Sequence, residues 1–146
     1  MAEMIQIRRA EKSDVRSVKA LIDELEKWDS KMTIFASTYE EYLKQPNTLM
    51  YLVDHPIDGV VAFISCKGQQ LLHHLGWVYE IQELIVTDAH RGKGYGRLLV
   101  DKIREEVEMR GAKSLEVTSN KRRLEAHAFY EAAGFRNSHE KFTIYF

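Results

Sequence analysis

A chain of 146 residues, 45% hydrophobic and 29% charged, has room for one domain with a sizeable core. Its net charge of −1 excludes an overall field for nucleic acid or an anionic membrane, so any anion must be met by a local patch. A single cysteine, Cys66, excludes an internal disulfide, and the lack of a signal-peptide pattern or a long apolar run reads as a cytoplasmic chain. In chain order, Ile5, Ile7 and Arg8-Arg9 predict a short first strand. Ser13 reads as the N-cap of a helix whose apolar residues, Val15 to Trp28, follow helical spacing. Thr38-Tyr39-Glu40-Glu41 fits a capping box and predicts a second helix that stops before Pro46. Residues 29–37 read as a loop whose Met32, Ile34 and Phe35 either cover the core or line a pocket. Leu49–Val53 and Val60–Ser65 are paired antiparallel strands around the turn Pro56-Ile57-Asp58-Gly59. A fourth strand, Trp77–Val86, is followed by a helix over residues 95–110 ended by Gly111, and Ser114–Thr118 is a fifth strand. Leu124, Ala128, Phe129 and Ala132 outline a last helix closed by Gly134. A final strand pair runs from Phe135 to Phe146. The order implies an α/β (α+β) architecture, a mixed sheet with helices on both faces.

The most informative stretch follows the fourth strand. Gly92, Gly94 and Gly96 stand at alternate positions between Val86 and the apolar pattern Leu98, Leu99, Ile103 and Val107. Strand, glycine turn and helix make an anion cradle, because glycine lets backbone approach a ligand and a helix start presents free N–H groups. The phosphate loop of nucleotide hydrolases is excluded, since Gly92-Lys93 is followed by Gly94 and not by Ser or Thr. The dinucleotide fingerprint is excluded by Arg97 at the position of its third glycine.

Arg91, Gly94 and Gly96 directly after a strand form Arg-x-x-Gly-x-Gly, and here the chain resembles the GNAT N-acetyltransferases. A second match is Phe129-Tyr130-Glu131-Ala132-Ala133-Gly134-Phe135, a Phe-Tyr-x-x-x-Gly-Phe ending. The resemblance implies the GNAT fold, mostly antiparallel, with strands four and five splayed and acetyl-CoA entering between them as co-substrate. It implies that the backbone of Leu84, Ile85 and Val86 pairs with the pantetheine arm. Arg91, Gly92, Lys93, Gly94, Tyr95 and Gly96 would hold the pyrophosphate. Tyr130 aligns with the general acid, and its phenol suits a thiolate of similar basicity. Glu80, eleven residues before Arg91, aligns with the base of the histone-modifying branch. Glu83 competes with it, either as substrate ligand or as base through a water, and strict alternation puts it on the opposite strand face. Asn120 aligns with a cofactor-contacting asparagine at a longer spacing, the extra turn being Lys121-Arg122-Arg123.

That spacing, with Glu80-Ile81-Gln82-Glu83-Leu84, His73-His74, Trp77 and the tail Ser138-His139, is similar to one branch, the aminoalkylphosphonate N-acetyltransferases. The partner implied is a small amine acceptor together with coenzyme A, with no nucleic acid or membrane; a homodimer is left open. Cations at a helix start call for an anion nearby, so a phosphonate would draw on Arg122, Arg123, His127 and His139. A polyamine, an aminoglycoside or a protein amine is the alternative acceptor, and a non-catalytic acyl-CoA-binding regulator is the alternative class. No metal site using both His73 and His74 is predicted, since adjacent residues cannot face one way on a strand, and one of them with Glu80 and a third ligand is left open.

Overall fold

The computed structural model describes residues 4–119 and 123–146. Its five strands lie side by side in chain order: β1 (Gln6–Arg9), β2 (Thr48–His55), β3 (Gly59–Leu71), β4 (Gly76–Val86) and β5 (Ser114–Val117). The first four run antiparallel, and β5 pairs parallel with β4. The parallel pair is made by a crossover through α3 (Tyr95–Met109), as parallel neighbours require. On β2, Leu49, Tyr51 and Val53 join the core beneath α3, with Leu99, Ile103 and Val107. Met50 and Leu52 alternate to the other core, with Val18 and Leu21 of α1 (Val15–Glu26) and Tyr39 of α2 (Met32–Lys44). Both sheet faces are therefore covered, and β2 is buried over nearly its whole length. The short helix α4 (Leu124–Ala132) follows β5.

Four sequence expectations are corrected. Helix one is capped differently: Lys12–Asp14 form a 3-10 turn, and Asp14, not Ser13, binds the chain entry. Its carboxylate accepts the Glu11 N–H at 2.7 Å and the Arg8 guanidinium at 2.8 and 2.9 Å, and Arg8 holds it below the usual carboxylate range. The same helix stops at Glu26, short of Trp28, where Lys27 turns left-handed at φ 57°. Secondly, α2 begins at Met32, inside the expected loop. Phe35, Tyr39 and Tyr42 continue one helical stripe at i, i+4 and i+7, and Phe35 stacks on Tyr39. Thr38 lies mid-helix, its hydroxyl bonded to the Ile34 carbonyl at 3.1 Å, so the apparent capping box caps nothing. Thirdly, His73 and His74 lie in a 3-10 turn (Leu72–His74), not on a strand.

Finally, residues 135–146 form no strand. Phe142, Ile144, Tyr145 and Phe146 are exposed. Strand propensity reflects packing against neighbours, and among the described residues nothing but β4 pairs with β5.

Candidate active site

The site begins at a defect in β4. Opposite β3, Ser65 pairs with Glu83 while Cys66 pairs with Ile81, so Gln82 is an extra residue, a β-bulge. Pairing with β5 ends at the same level, at Ile81 with Val117. Beyond it β4 continues to Val86 without β5, leaving one edge of Leu84, Ile85 and Val86 open. A bulge bends and twists its strand, which accounts for the parting. Leu84 and Val86 turn their side chains to the α3 core, and Ile85 turns to the other.

The bulge also resets the alternation. Glu80 sits opposite Lys67, and Glu83 sits opposite Ser65. Ser65 and Lys67 share a face, so both glutamates do too, which corrects the opposite-face expectation. Glu116 is level with Glu80 on β5 and joins them. The Glu80 carboxylate receives the Gln82 amide at 2.9 Å and the Thr118 hydroxyl at 3.3 Å. Glu83 accepts the Ser65 hydroxyl at 2.5 Å and the Tyr42 hydroxyl at 3.0 Å.

At the end of β4 a 3-10 turn (Asp88–His90) leads into the glycine loop. Gly92 and Gly94 adopt φ of 80° and 85°, and a side chain at either would meet nothing within 4 Å. Gly94 caps α3 with its backbone alone. The first helical bond there runs from Leu98 N–H to Gly94 C=O, and no acidic residue occupies the first turn. The start of α3, where the helix dipole is positive, therefore lies directly after the glycine turn. The Tyr95 ring itself is buried and stacks beside His90. A Cβ at Gly96 would stand 3.4 Å from the Phe129 ring and 3.7 Å from Val86, so this glycine also lets α3 approach α4. Arg91 turns back: its Nε donates to the Val86 carbonyl at 3.1 Å, and it pairs with Asp88 at 2.6 Å and Glu24 at 3.7 Å. Glu24 also accepts the Thr87 hydroxyl and the Asp88 N–H.

Behind the loop lies a cluster that the sequence reading missed. His55, Asp58 and His90 bring potential metal-ligating atoms within 4.8 Å of one another. His55 Nδ1 already accepts the Ile57 and Asp58 N–H groups at 3.2 and 3.1 Å. The Lys93 ammonium, 3.2 Å from His90 Nδ1, makes that nitrogen an acceptor, so Nε2–H donates to Asp58 at 2.8 Å. These bonds tie the β2–β3 turn to the glycine loop.

Tyr130 lies half-buried on α4, edge-on to Phe129 and Phe135. Burial raises its pKa, and Arg123 pulls the other way. Arg123 is exposed at the start of α4, and the partly buried His127 follows one turn later. His139 is exposed and bonded to Ser138 at 2.7 Å. Asn120 and Arg122 lie outside the described residues. Tyr42, Ser65, Lys67 and Glu116 were also missed. The only sequence signal was Ser65, a polar residue in an apolar strand.

An opened parallel strand pair, a glycine cradle and a helix-borne tyrosine define a class of acyl-transfer enzyme. A family model described as "Acetyltransferase (GNAT) family" matches residues 3–135, and the chain belongs to that family. It is 37% identical over 138 residues, 94% of this chain and 89% of the relative, to an aminoalkylphosphonate N-acetyltransferase of Salmonella typhimurium strain LT2. The fold matches the crystal structure of a transcriptional regulator from Bacillus halodurans C-125, with TM-score 0.89 and 23% identity over 97% of this chain and 99% of that one. It also matches glucosamine-6-phosphate N-acetyltransferase from Arabidopsis thaliana, with TM-score 0.85 and 21% identity over 99% of each chain. The chain is an acetyltransferase. None of its helices, among the described residues, is long and apolar enough to cross a membrane.

Proposed function

We propose that the chain transfers the acetyl group of acetyl-coenzyme A to the primary amine of a small aminoalkylphosphonate. The observation that carries this reading is the parting of β4 from β5 beyond Ile81 and Val117, with the glycine loop at its end and α4 alongside through Phe129. The open space before Gly92 and Gly94 and the start of α3, with the positive end of its dipole, fit a diphosphate. The 37% identity to an enzyme of that name supports the acceptor.

Acetyl-coenzyme A supplies an activated acetyl thioester. Residues 91–96 hold its diphosphate, with Arg91 also bracing the loop against Glu24 and Asp88. The open edge of Leu84, Ile85 and Val86 aligns the pantetheine arm and offers N–H groups to the carbonyl oxygen. Glu80, or Glu83 through a water, takes the proton from the acceptor ammonium. Tyr130 holds a proton for the departing sulfur. Arg123 contributes positive charge towards phosphate or phosphonate, as Arg122 would, and His127 and His139 contribute ring N–H donors.

One observation favours a second acceptor. Glu80, Glu83 and Glu116 share a face, and three carboxylates suit a polyamine. Free-thiol release with aminomethylphosphonate, simple alkylamines and spermidine separates the readings. The phosphonate should lead the unsubstituted amines by about tenfold or more in kcat/KM. A lead for spermidine, or equal rates, overturns the phosphonate acceptor. Acetyl-CoA binding without turnover on any amine overturns catalysis and leaves a regulator.

A further inference from the structure

The face that carries the glutamates also carries a cation with no role in the mechanism above. Lys67 of β3 is half-buried and directly opposite Glu80 across the β3–β4 ladder. Cross-strand neighbours of opposite charge ordinarily pair, yet among the described residues no carboxylate lies within ion-pair distance of Lys67. Glu80 is engaged with Gln82 and Thr118 instead. The Lys67 ammonium rests 4.0 Å from the ring centroid of Tyr42, a cation–π contact that holds it without neutralising it.

Tyr42 has a second task. Its hydroxyl donates to Glu83 Oε1 at 3.0 Å, where the Ser65 hydroxyl also converges at 2.5 Å. The fully buried Ser65 is fixed in turn by the Glu83 N–H at 3.1 Å. Burial, then the charge of Glu83, push the Tyr42 phenol well above its usual pKa, so it stays a donor. Glu83 is thus a carboxylate held by hydroxyls, with no cation bonded to it among the described residues. One tyrosine side chain therefore positions an anion at its hydroxyl end and a cation on its face, about a ring's length apart. An amine that also bears an oxyanion is a ligand with that charge pattern.

Resting on the acceptor reading above, we propose that Lys67 is the residue that selects an oxyanion-bearing amine. Its ammonium receives the phosphonate oxygens, while Glu83, positioned by Tyr42 and Ser65, receives the acceptor ammonium. A polyamine site would place no cation among Glu80, Glu83 and Glu116, so Lys67 separates the two acceptor classes by repulsion as well as attraction. The cations at the start of α4 are then left to coenzyme A's phosphates.

The test is the ratio of kcat/KM for aminomethylphosphonate to that for spermidine in wild type, Lys67→Met, Lys67→Arg, Arg123→Met and Tyr42→Phe. Lys67→Met should lower the ratio at least tenfold, chiefly through KM for the phosphonate. Lys67→Arg, which keeps the charge, should hold it within about threefold. Tyr42→Phe, which loosens Glu83, should raise KM for both amines. A Lys67→Met enzyme that keeps the wild-type ratio, or an Arg123→Met enzyme that loses it while Lys67→Met does not, overturns the assignment. Should Lys67→Met fail to bind acetyl-CoA, Lys67→Gln and competition by methylphosphonate replace it. Methylphosphonate should inhibit wild type competitively against the phosphonate acceptor and inhibit Lys67→Gln at least tenfold less; equal inhibition overturns the proposal. A wild type without phosphonate preference removes the acceptor reading, and this inference with it.

Discussion

At the scale of single residues, Tyr130, proposed as general acid, and the two glutamates carry different kinds of support. Tyr130 sits on a helix packed close to the start of α3, where a Cβ on Gly96 would stand 3.4 Å from the Phe129 ring. Its environment is apolar, with Phe129 and Phe135 edge-on, and burial raises its pKa. A phenol kept protonated suits proton donation to a thiolate. Tyr130→Phe should therefore lower kcat about 10²–10⁴-fold while leaving acetyl-CoA affinity within a few-fold by calorimetry. An unchanged kcat would make Tyr130 a packing residue. Glu80 and Glu83 lie on one face because of the extra residue Gln82. Glu83 is held by two hydroxyls and Glu80 by an amide and a hydroxyl.

At the scale of elements, the glycine loop is two devices in sequence. Gly92 and Gly94 adopt left-handed backbone and face open space. Gly96 is helical and faces Phe129. Substitutions should separate them. Gly94→Val fills the space before the helix start and places a β-branched residue at φ 85°, which costs about 1–2 kcal/mol locally. It should weaken acetyl-CoA binding more than tenfold, with a modest loss of thermal stability. Gly96→Val presses on Phe129 and Val86, so overpacking of about 1–3 kcal/mol is the main effect. It should lower Tm and kcat together. Calorimetric affinity and thermal unfolding on both variants check this. Equal affinity in Gly94→Val and wild type would remove the loop from cofactor binding.

At the scale of the whole molecule, the sequence revealed what is local in the chain. The Gly92–Gly96 loop and the Phe129–Phe135 run are contiguous motifs, and turn, strand and helix signals around them placed α3, β4 and α4 within a residue or two. What it concealed belongs to pairing. The bulge at Gln82 exists only as a mismatch between β3 and β4, so the shared face of Glu80 and Glu83 could not be read from either strand alone. Tyr42 comes from α2 and Ser65 and Lys67 from β3, and nothing in their neighbours announces that Tyr42 and Ser65 meet at Glu83 or that Lys67 rests on the Tyr42 ring. The start of α2 was misplaced because Thr38 and Glu41 have capping spacing by coincidence, while Phe35, Tyr39 and Tyr42 already follow a helical stripe. The tail from Phe135 has strand composition, but composition alone does not make a strand where no neighbour packs against it.

If the opening between β4 and β5 serves acetylation of an aminoalkylphosphonate, the product carries the acetyl group on its nitrogen. Phosphorus NMR of aminomethylphosphonate incubated with the protein and acetyl-CoA tests it without reference to any variant. The account predicts a new phosphorus resonance that grows with enzyme and matches authentic N-acetylated aminomethylphosphonate, with free thiol released in equal amount. Thiol released without that resonance, or no new resonance while spermidine is acetylated under the same conditions, would contradict it.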